Sequence, residues 1–200
     1  HHTALQFMVE ACQAEKIAGI GSPRASVEAN YLLRTLVGED NYAPGFSAGE
    51  QALVDLVLQL QQESTAQVPD VRQIESADAV LILGEDVTNT APRIALALRQ
   101  SVRNRAYTMA AALGLETWQD AAIRNLAQHQ RSPLFIAATG DTRLDDVATR
   151  HFSLAPADIA RLGAAVADII AGRPPGQLPQ GLEEEAAEIA AALCGAERPL

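Results

Sequence analysis

The chain has 200 residues, of which 48% are hydrophobic and 4% aromatic, so we expect a globular domain with an aliphatic core. Its formal net charge of -10 argues against a nucleic-acid partner, because phosphate binding needs a cationic face. No apolar run approaches the roughly 20 residues of a membrane-spanning helix, so we expect no membrane insertion.

The two cysteines, Cys12 and Cys194, lie far apart, each in a predicted helix. We interpret both as reduced thiols rather than as the two halves of a disulfide. Two cysteines without a Cys-x-x-Cys motif cannot hold an iron–sulfur cluster, which needs about four cysteine ligands. We therefore expect no cluster and no other metal within this sequence.

The first third of the chain predicts helices around one short strand. The helices are expected at residues 3–16, 22–38 and 47–62, and the strand at residues 17–20. Ser22 and Pro23 are typical of the N-cap and first turn of the second helix. Ser47 and Glu50 have the spacing of a capping box at the start of the third helix. Residues 63–76 predict a polar connection.

A strand, a glycine and a helix follow one another near the middle of the chain. Val80–Leu83 is a short apolar run, which is typical of a strand buried on both faces of a parallel sheet. Gly84 ends this run, and the polar loop Glu85–Thr90 follows it. Pro92 then lies in the first turn of a predicted helix. In an open α/β sheet, such a strand end and helix N-terminus form the usual binding crevice.

The remaining sequence predicts one further strand and four further helices. The helices are expected at residues 105–113, 118–130, 156–171 and 182–194, and the strand is the run LFIAA after Pro133. Thr117 and Asp120 have the spacing of a capping box before the second of these helices. Asp141–Arg150 predicts a turn and a short helix, and Gly172 is a typical helix stop.

Together these elements predict an α/β fold. Three strands alternating with helices imply a parallel sheet with helices on both faces, which is a three-layer α/β/α arrangement. Residues 1–172 are expected to form this domain, and residues 173–200 a linker and a C-terminal helix. Three strands make a small sheet for a chain of 200 residues, so we expect it to be part of a larger protein.

Two patterns could bind a ligand, although each also has a structural interpretation. Gly19-Ile20-Gly21 could begin a dinucleotide-binding fingerprint, but the third glycine is missing, which favours a tight strand-to-helix turn. Asp141, Asp145 and Asp146 could bind Mg²⁺, but an acidic cluster after a strand is more often the solvated start of a helix.

No catalytic arrangement can be placed in the sequence. The candidate nucleophiles lie in no recognisable elbow, and no Ser-His-Asp or Cys-His set is evident. His129 and His151 have no partner at ligand spacing, so we interpret them as surface or capping residues. We therefore predict no catalytic residues.

Three blocks of sequence, in the same order, resemble the molybdopterin oxidoreductase family. Residues 21–38 (GSPRASVEANYLLRTLVG) are similar to its GS-x-R-x-x-x-E-x-NY helix. Residues 77–100 are similar to its "aDvilviGsNp" strand and turn, and residues 133–170 to its strand, D-P-R turn and helix. The GED and DTRLDD sequences, and the helices inserted between residues 103 and 132, resemble one branch in particular. This branch is the large iron–sulfur subunit of bacterial NADH:quinone oxidoreductase (respiratory complex I).

The resemblance implies a vestigial cofactor site. In the molybdenum enzymes of the family, the glycine turn and the D-P-R turn hold the phosphates and the guanine of a pterin dinucleotide. The matching positions here are Gly84, Glu85, Asp86, Asp141, Thr142 and Arg143. Two acidic residues replace a neutral Ser-Asn pair, and a threonine replaces the proline. The resemblance therefore implies a fold that has lost its cofactor.

The function implied by the resemblance is that of a structural and interaction domain without chemistry of its own. The parent protein would carry [2Fe–2S] and [4Fe–4S] clusters upstream of this segment and pass electrons from NADH towards quinone. Its partners would be other peripheral-arm subunits, on the cytoplasmic side of the inner membrane. The alternative is a nucleotide- or thiamine-diphosphate-binding domain of a soluble enzyme, which would need glycine at positions 85 and 86 or a set of Mg²⁺ ligands.

Overall fold

The computed structural model describes residues 3, 6, 9, 10, 17–63, 68–178 and 181–200. The contacts of the chain divide it into two units, residues 1–67 and residues 68–200. Most of the helix predicted over residues 3–16 lies outside the described residues. The domain boundary predicted after residue 172 stays a prediction.

The first unit contains a pair of short parallel strands and two helices. These are β1 (Gly19–Ile20), β2 (Tyr42–Ala43), α1 (Val27–Val37) and α2 (Ala48–Glu63), with a 3₁₀ turn at Glu39–Asn41. The N-cap of α1 is Ser26 and not the predicted Ser22, since the Ser26 hydroxyl accepts a hydrogen bond from the Ala29 N–H. The capping box predicted before α2 is confirmed. Ser47 N–H donates to the Glu50 carboxylate at 2.9 Å, and Glu50 N–H donates to the Ser47 hydroxyl at 3.2 Å.

Ser22 is held by the side chain of Asn30 on α1. Asn30 Oδ1 accepts from the Ser22 N–H at 3.0 Å, and Asn30 Nδ2 donates to the Ser22 carbonyl at 2.9 Å. The Tyr42 hydroxyl donates to the same Oδ1 at 3.2 Å. A Cβ on Gly21 would lie 2.4 Å from both Asn30 Oδ1 and the Tyr42 hydroxyl, so this approach requires glycine. The structural interpretation of Gly19-Ile20-Gly21 is therefore favoured over a dinucleotide fingerprint.

The second unit is built on a parallel sheet. Its strands lie in the order β3 (Val80–Leu83), β4 (Leu134–Ala138) and β5 (Arg150–Ser153). Residues 198–200 run along the other edge of β3, where Leu81 N–H donates to the Leu200 carbonyl at 2.8 Å. The strand predicted at residues 17–20 is shorter than expected and is not part of this sheet, because only residues 19–20 form a strand, β1, which pairs with β2 in the first unit.

Seven helices of the second unit surround this sheet within the described residues. They are α3 (Val71–Glu75), α4 (Val87–Thr90), α5 (Pro92–Ser101), α6 (Asn104–Ala112), α7 (Asp120–Ala127), α8 (Pro156–Ile170) and α9 (Glu183–Cys194). The helix α3 lies in the segment predicted as a polar connection, and Asp70 and Gln73 form its capping box. The capping box predicted at Thr117 and Asp120 is absent, since α7 begins after Gln119 without a side-chain cap. Of the described helices, none has the length and apolar character needed to cross a bilayer.

The strand β4 is buried on both faces. Leu134, Ile136 and Ala138 contact one hydrophobic cluster, Phe135 and Ala137 contact another, and none of the five is more than 4% exposed. The first cluster includes residues of α3 and α5, and the second includes residues of α8 and α9. This alternation places helices on both faces of the sheet. The predicted α/β class with a parallel sheet is confirmed.

The strand β5 was not predicted. Asp141–Arg150 was expected to be a turn and a short helix, but the structure has turns over residues 143–147 and a strand from Arg150. β4 ends at residue 138 and β5 begins at residue 150, so only eleven residues connect two parallel strands. Such connections usually take a dozen or more residues and contain a helix, so the sequence pattern favours a different structure here.

Candidate functional site

Two turns at the carboxyl ends of β3 and β4 contain the six positions derived from the resemblance. The first holds Gly84, Glu85 and Asp86, and the second holds Asp141, Thr142 and Arg143. β3 and β4 are parallel neighbours, so both turns lie at the same edge of the sheet. Gly84 has a φ of +80°, a conformation that favours glycine, and its N–H donates to the Ala137 carbonyl at 2.7 Å. The first turn is thereby fastened to β4.

In the first turn, the acidic side chains accept hydrogen bonds from the N–H, hydroxyl and amide groups that follow β3. Asp86 is the N-cap of α4, and its carboxylate accepts from the Thr88 N–H at 3.0 Å. The same carboxylate also accepts from the Thr88 hydroxyl and the Asn89 side-chain amide. The Glu85 carboxylate accepts from the Thr90 hydroxyl at 3.0 Å. The N-terminus of α4 is therefore already capped by a negative group from its own chain.

The electrostatics of the two turns are coupled. The pKa of Asp86 is lowered, mainly because the Thr88 hydroxyl donates to its carboxylate, and also because of the positive charge of Arg143. Arg143 is exposed, and its guanidinium has no hydrogen-bond partner among the described residues. The edge of the sheet thus presents the acidic pair Glu85 and Asp86 near one arginine.

The second turn is closed by its own side chains. The Asp145 carboxylate accepts from the Thr142 N–H at 3.0 Å and from the Thr142 hydroxyl at 2.6 Å. The Arg99 guanidinium on α5 donates to the Arg143 carbonyl and to both oxygens of Asp146 at 2.7 Å. The pKa of Asp146 is lowered, mainly by the hydrogen bond from Arg99. Arg99 therefore fastens the second turn to the helix beside it.

The structure brings Asp141, Asp145 and His151 together, which the sequence did not predict. His151 Nδ1 lies 3.7 Å from an Asp145 oxygen, and one ligand atom from each of the three residues lies within 4.8 Å of the others. Asp146, the third member of the predicted acidic cluster, instead pairs with Arg99. The expectation that His151 has no partner is wrong, because the unpredicted strand β5 places it beside the turn.

Within this cluster, Asp145 is the residue whose carboxylate is hydrogen-bonded by the protein itself. Both oxygens of Asp145 already accept hydrogen bonds from Thr142, and Asp141 is exposed. His151 Nε2 is buried without a hydrogen-bond partner. Carboxylates and imidazoles are metal-ligand types, so the set could in principle hold a cation. That these residues bind no metal stays a prediction.

The remaining residues singled out from the sequence lie apart from this edge. His129 is exposed just after the end of α7. Cys194 is an exposed thiol at the end of α9, whereas Cys12 lies outside the described residues. The interpretation of the two cysteines as unpaired thiols therefore stays a prediction.

A second candidate surface is the apolar side of α2. Leu53, Leu56, Val57 and Leu60 follow the spacing of one helix face, and their exposed fractions lie between 50% and 64%. None of the residues of α2 is buried. An apolar helix face that remains accessible is typical of an interaction surface.

Comparison with known proteins identifies relatives of the whole chain. No protein-family model matches it. The NADH-quinone oxidoreductase G subunit of Pseudomonas fluorescens is 49% identical over 201 residues, covering 98% of this chain and 22% of that protein. The same-named protein of Pseudomonas putida is 47% identical with the same coverage. That of Escherichia coli strain K12 is 47% identical over 192 residues, covering 94% of this chain and 21% of that protein.

The chain therefore spans about one fifth of the length of the curated relatives it matches. The resemblance to this component of NADH:quinone oxidoreductase, inferred from three sequence blocks, is confirmed by this identity over nearly the whole chain. The six positions at the carboxyl edge of the sheet and the α2 surface lie within that matched length.

Proposed function

We propose that this chain, homologous over nearly its whole length to a segment of the NADH-quinone oxidoreductase G subunit, is a structural and interaction domain of such a protein. The parent enzyme passes electrons from NADH to quinone, and its [2Fe–2S] and [4Fe–4S] clusters are bound upstream of this segment. Its partners are other peripheral-arm subunits of complex I, on the cytoplasmic side of the inner membrane.

The observation that carries this proposal is the exposed apolar face of α2. Four apolar side chains on one side of a 16-residue helix are each at least half exposed. Their removal from water would contribute roughly 25 cal/mol for each Å² of apolar surface that a partner covers. A helix face of this kind favours a binding role over an independent catalytic role.

We further propose that the fold derives from a molybdopterin-binding domain whose site is vestigial. The residues at the carboxyl edge do not fit a dinucleotide phosphate. A carboxylate about 4 Å from a phosphate charge is repelled by about 4 kcal/mol at an effective dielectric of 20, and by about 1 kcal/mol in bulk water. Arg143 offers one compensating charge against Glu85 and Asp86. Asp86 also occupies the N-terminus of α4, where a phosphate would need free N–H donors.

Calorimetric titration with GDP tests whether the crevice is vestigial. We expect no measurable binding to the native chain, with or without Mg²⁺, and at best weak binding after Glu85→Ser with Asp86→Asn. The magnesium arm is needed because a bridging cation could reverse the sign of the carboxylate repulsion. Micromolar binding of GDP by the native chain without metal would contradict a vestigial site.

The alternative is a nucleotide- or thiamine-diphosphate-binding domain. A thermal-shift screen with NAD, FAD, GDP and thiamine diphosphate distinguishes it from the proposed structural domain. A ligand at 100 times its Kd adds about 2.7 kcal/mol to the free energy of unfolding, which raises Tm measurably. The proposal predicts no shift with any of the four compounds. A reproducible shift with one of them would favour the alternative.

The interaction role is tested by pull-down of the purified subunits of complex I with the chain as bait. Leu56→Gln with Leu60→Gln should weaken capture, because both side chains lie on the exposed α2 face. Leu113→Gln is the matched control, since Leu113 is 65% exposed and lies at the end of α6. Undiminished capture by the α2 variant, or an equal loss in the control, would remove this surface from the proposal.

A further inference from the structure

A cavity of about 260 Å³ lies near the residues that precede β4 and β5, at the end of the sheet where the strands begin. The ends of α5 and α7, the start of α6 and the residues before β4 and β5 surround it. Its lining includes four arginines: Arg99, Arg103, Arg124 and Arg131. The whole chain contains 15 lysines and arginines and has a net charge of -10. A cavity with four arginines and no acidic residue in its described lining is positively charged within a protein that is negatively charged overall.

One carboxylate on α7 forms ion pairs with two of these arginines. Asp120 accepts from Arg103 at 2.6 Å and from Arg124 at 3.0 Å. Arg103 also lies over the ring of Tyr107, with 5.2 Å between the guanidinium carbon and the ring centroid. A single carboxylate shared by two guanidinium groups leaves one positive charge uncompensated.

The other two arginines share the segment around Asp146. Arg99 pairs with the Asp146 carboxylate at 2.7 Å. Arg131 donates to the backbone carbonyl of Asp146 at 3.1 Å and has no carboxylate partner among the described residues. Two carboxylates thus face four guanidinium groups, and the described lining of the cavity carries two excess positive charges.

The inner surface of the cavity is apolar. Val102 and Ile123 are 3% and 1% exposed, and Ala106, Ala127 and Val147 also line it. Charges beside an apolar wall are less well screened than charges in open water, so an anion would be attracted more strongly here. The guanidinium fork binds carboxylate and phosphate groups through paired N–H donors.

We propose that this cavity binds a small anion bearing a phosphate or carboxylate group. Its volume of about 260 Å³ lies just below the roughly 300 Å³ at which ligand pockets usually begin, so the anion that it holds would be small. The anion would contact the free N–H groups of Arg131 and of the Arg103–Arg124 pair. None of the six vestigial positions lines the cavity, so its occupation does not depend on the proposed function.

Calorimetry on the 200-residue chain at constant ionic strength tests the site, with pyrophosphate and citrate as probes. We expect one of them to bind saturably. Arg131→Gln and Arg103→Gln should each weaken this binding by roughly fivefold or more, because each removes one positive charge near the anion. Asp120→Asn should strengthen it, because a competing carboxylate is lost.

Arg173→Gln is the matched control. It removes the same charge from an arginine that pairs with Asp168 and does not line the cavity. Circular dichroism of each variant checks that the fold is retained. Binding of pyrophosphate alone would assign a phosphate ligand, and binding of citrate alone a carboxylate ligand; either supports the site.

Three results would overturn the site. The first is no saturable binding of either probe below about 10 mM. The second is an equal loss of affinity in Arg173→Gln and in the cavity variants. The third is tighter binding of a hexaglutamate peptide than of both small probes, which would assign the surface to an acidic protein segment instead.

Discussion

Replacing Ile82 by alanine should destabilise the second unit strongly. Ile82 is 9% exposed on β3 and lies directly opposite Ile136 of β4. Both side chains belong to the hydrophobic cluster on the α5 side of the sheet. β4 pairs with one side of β3, and residues 198–200 form hydrogen bonds along its other side, so its backbone has little freedom to move into a space left by the missing atoms.

The expected magnitude follows from the atoms removed. Ile82→Ala deletes three carbon atoms, and each buried methylene contributes about 0.8 kcal/mol, which gives about 2.4 kcal/mol for transfer alone. A residual cavity of up to about 80 Å³ would add up to about 2 kcal/mol at about 24 cal/mol per Å³. We therefore expect the free energy of unfolding to fall by about 2.5–4 kcal/mol.

Urea denaturation followed by circular dichroism measures this loss. Trp118, the single tryptophan of the chain, lies in the second unit and supplies a fluorescence signal from that unit alone. Ile170→Ala is the matched control, because Ile170 is 46% exposed and the same atoms are removed. A loss below about 1 kcal/mol for Ile82→Ala, or one equal to that of the control, would refute the buried position of Ile82.

Two further predictions concern the turns. Gly45→Ala should destabilise the first unit by roughly 2 kcal/mol or more in thermal unfolding, because its Cβ would lie 2.3 Å from the Gly21 carbonyl oxygen at a φ of +84°. Gly49→Ala, which meets nothing within 4 Å, should be neutral or stabilising. Because Arg99 lowers the pKa of Asp146, their pairing should stabilise the fold above pH about 3.9, the ordinary carboxyl pKa, and fail as the pH falls through the lowered value. Asp146→Asn should therefore reduce the dependence of Tm on pH below about pH 4, and an unchanged acid profile would contradict this pairing.

Local signals in the sequence predicted the parts of the fold that depend on neighbouring residues. The capping box of Ser47 and Glu50, the start of α5 at Pro92 and the apolar strands β3 and β4 were all predicted from short patterns. Each of these depends on interactions within a few residues or on an apolar run, which for β4 reflects burial on both faces. The prediction that β3 is buried on both faces is wrong, because Leu83 is 43% exposed.

The missed features depend on contacts between distant residues. β5 is a four-residue edge strand with two exposed and two half-buried residues, so its sequence RHFS carries no continuous apolar run. His151 lies in β5, so its proximity to Asp145 could not be predicted without predicting this strand. The apolar spacing of α2 is visible in the sequence, but periodicity identifies an apolar face without showing whether the same chain covers it.

The pairing of residues 198–200 with β3 has a consequence for the order of folding. Asp78 accepts hydrogen bonds from the N–H groups of Glu197 and Arg198, at 2.9 and 2.8 Å, across 119 and 120 residues of sequence. Contacts so distant in sequence close a large loop, whose entropy opposes their early formation. During synthesis, β3 and β4 can pair as soon as residue 138 has emerged, while the other edge of β3 stays open until residue 200 follows. An open, apolar strand edge is a template for strands of other chains, so self-association can compete with the pairing of residues 198–200 until that pairing forms.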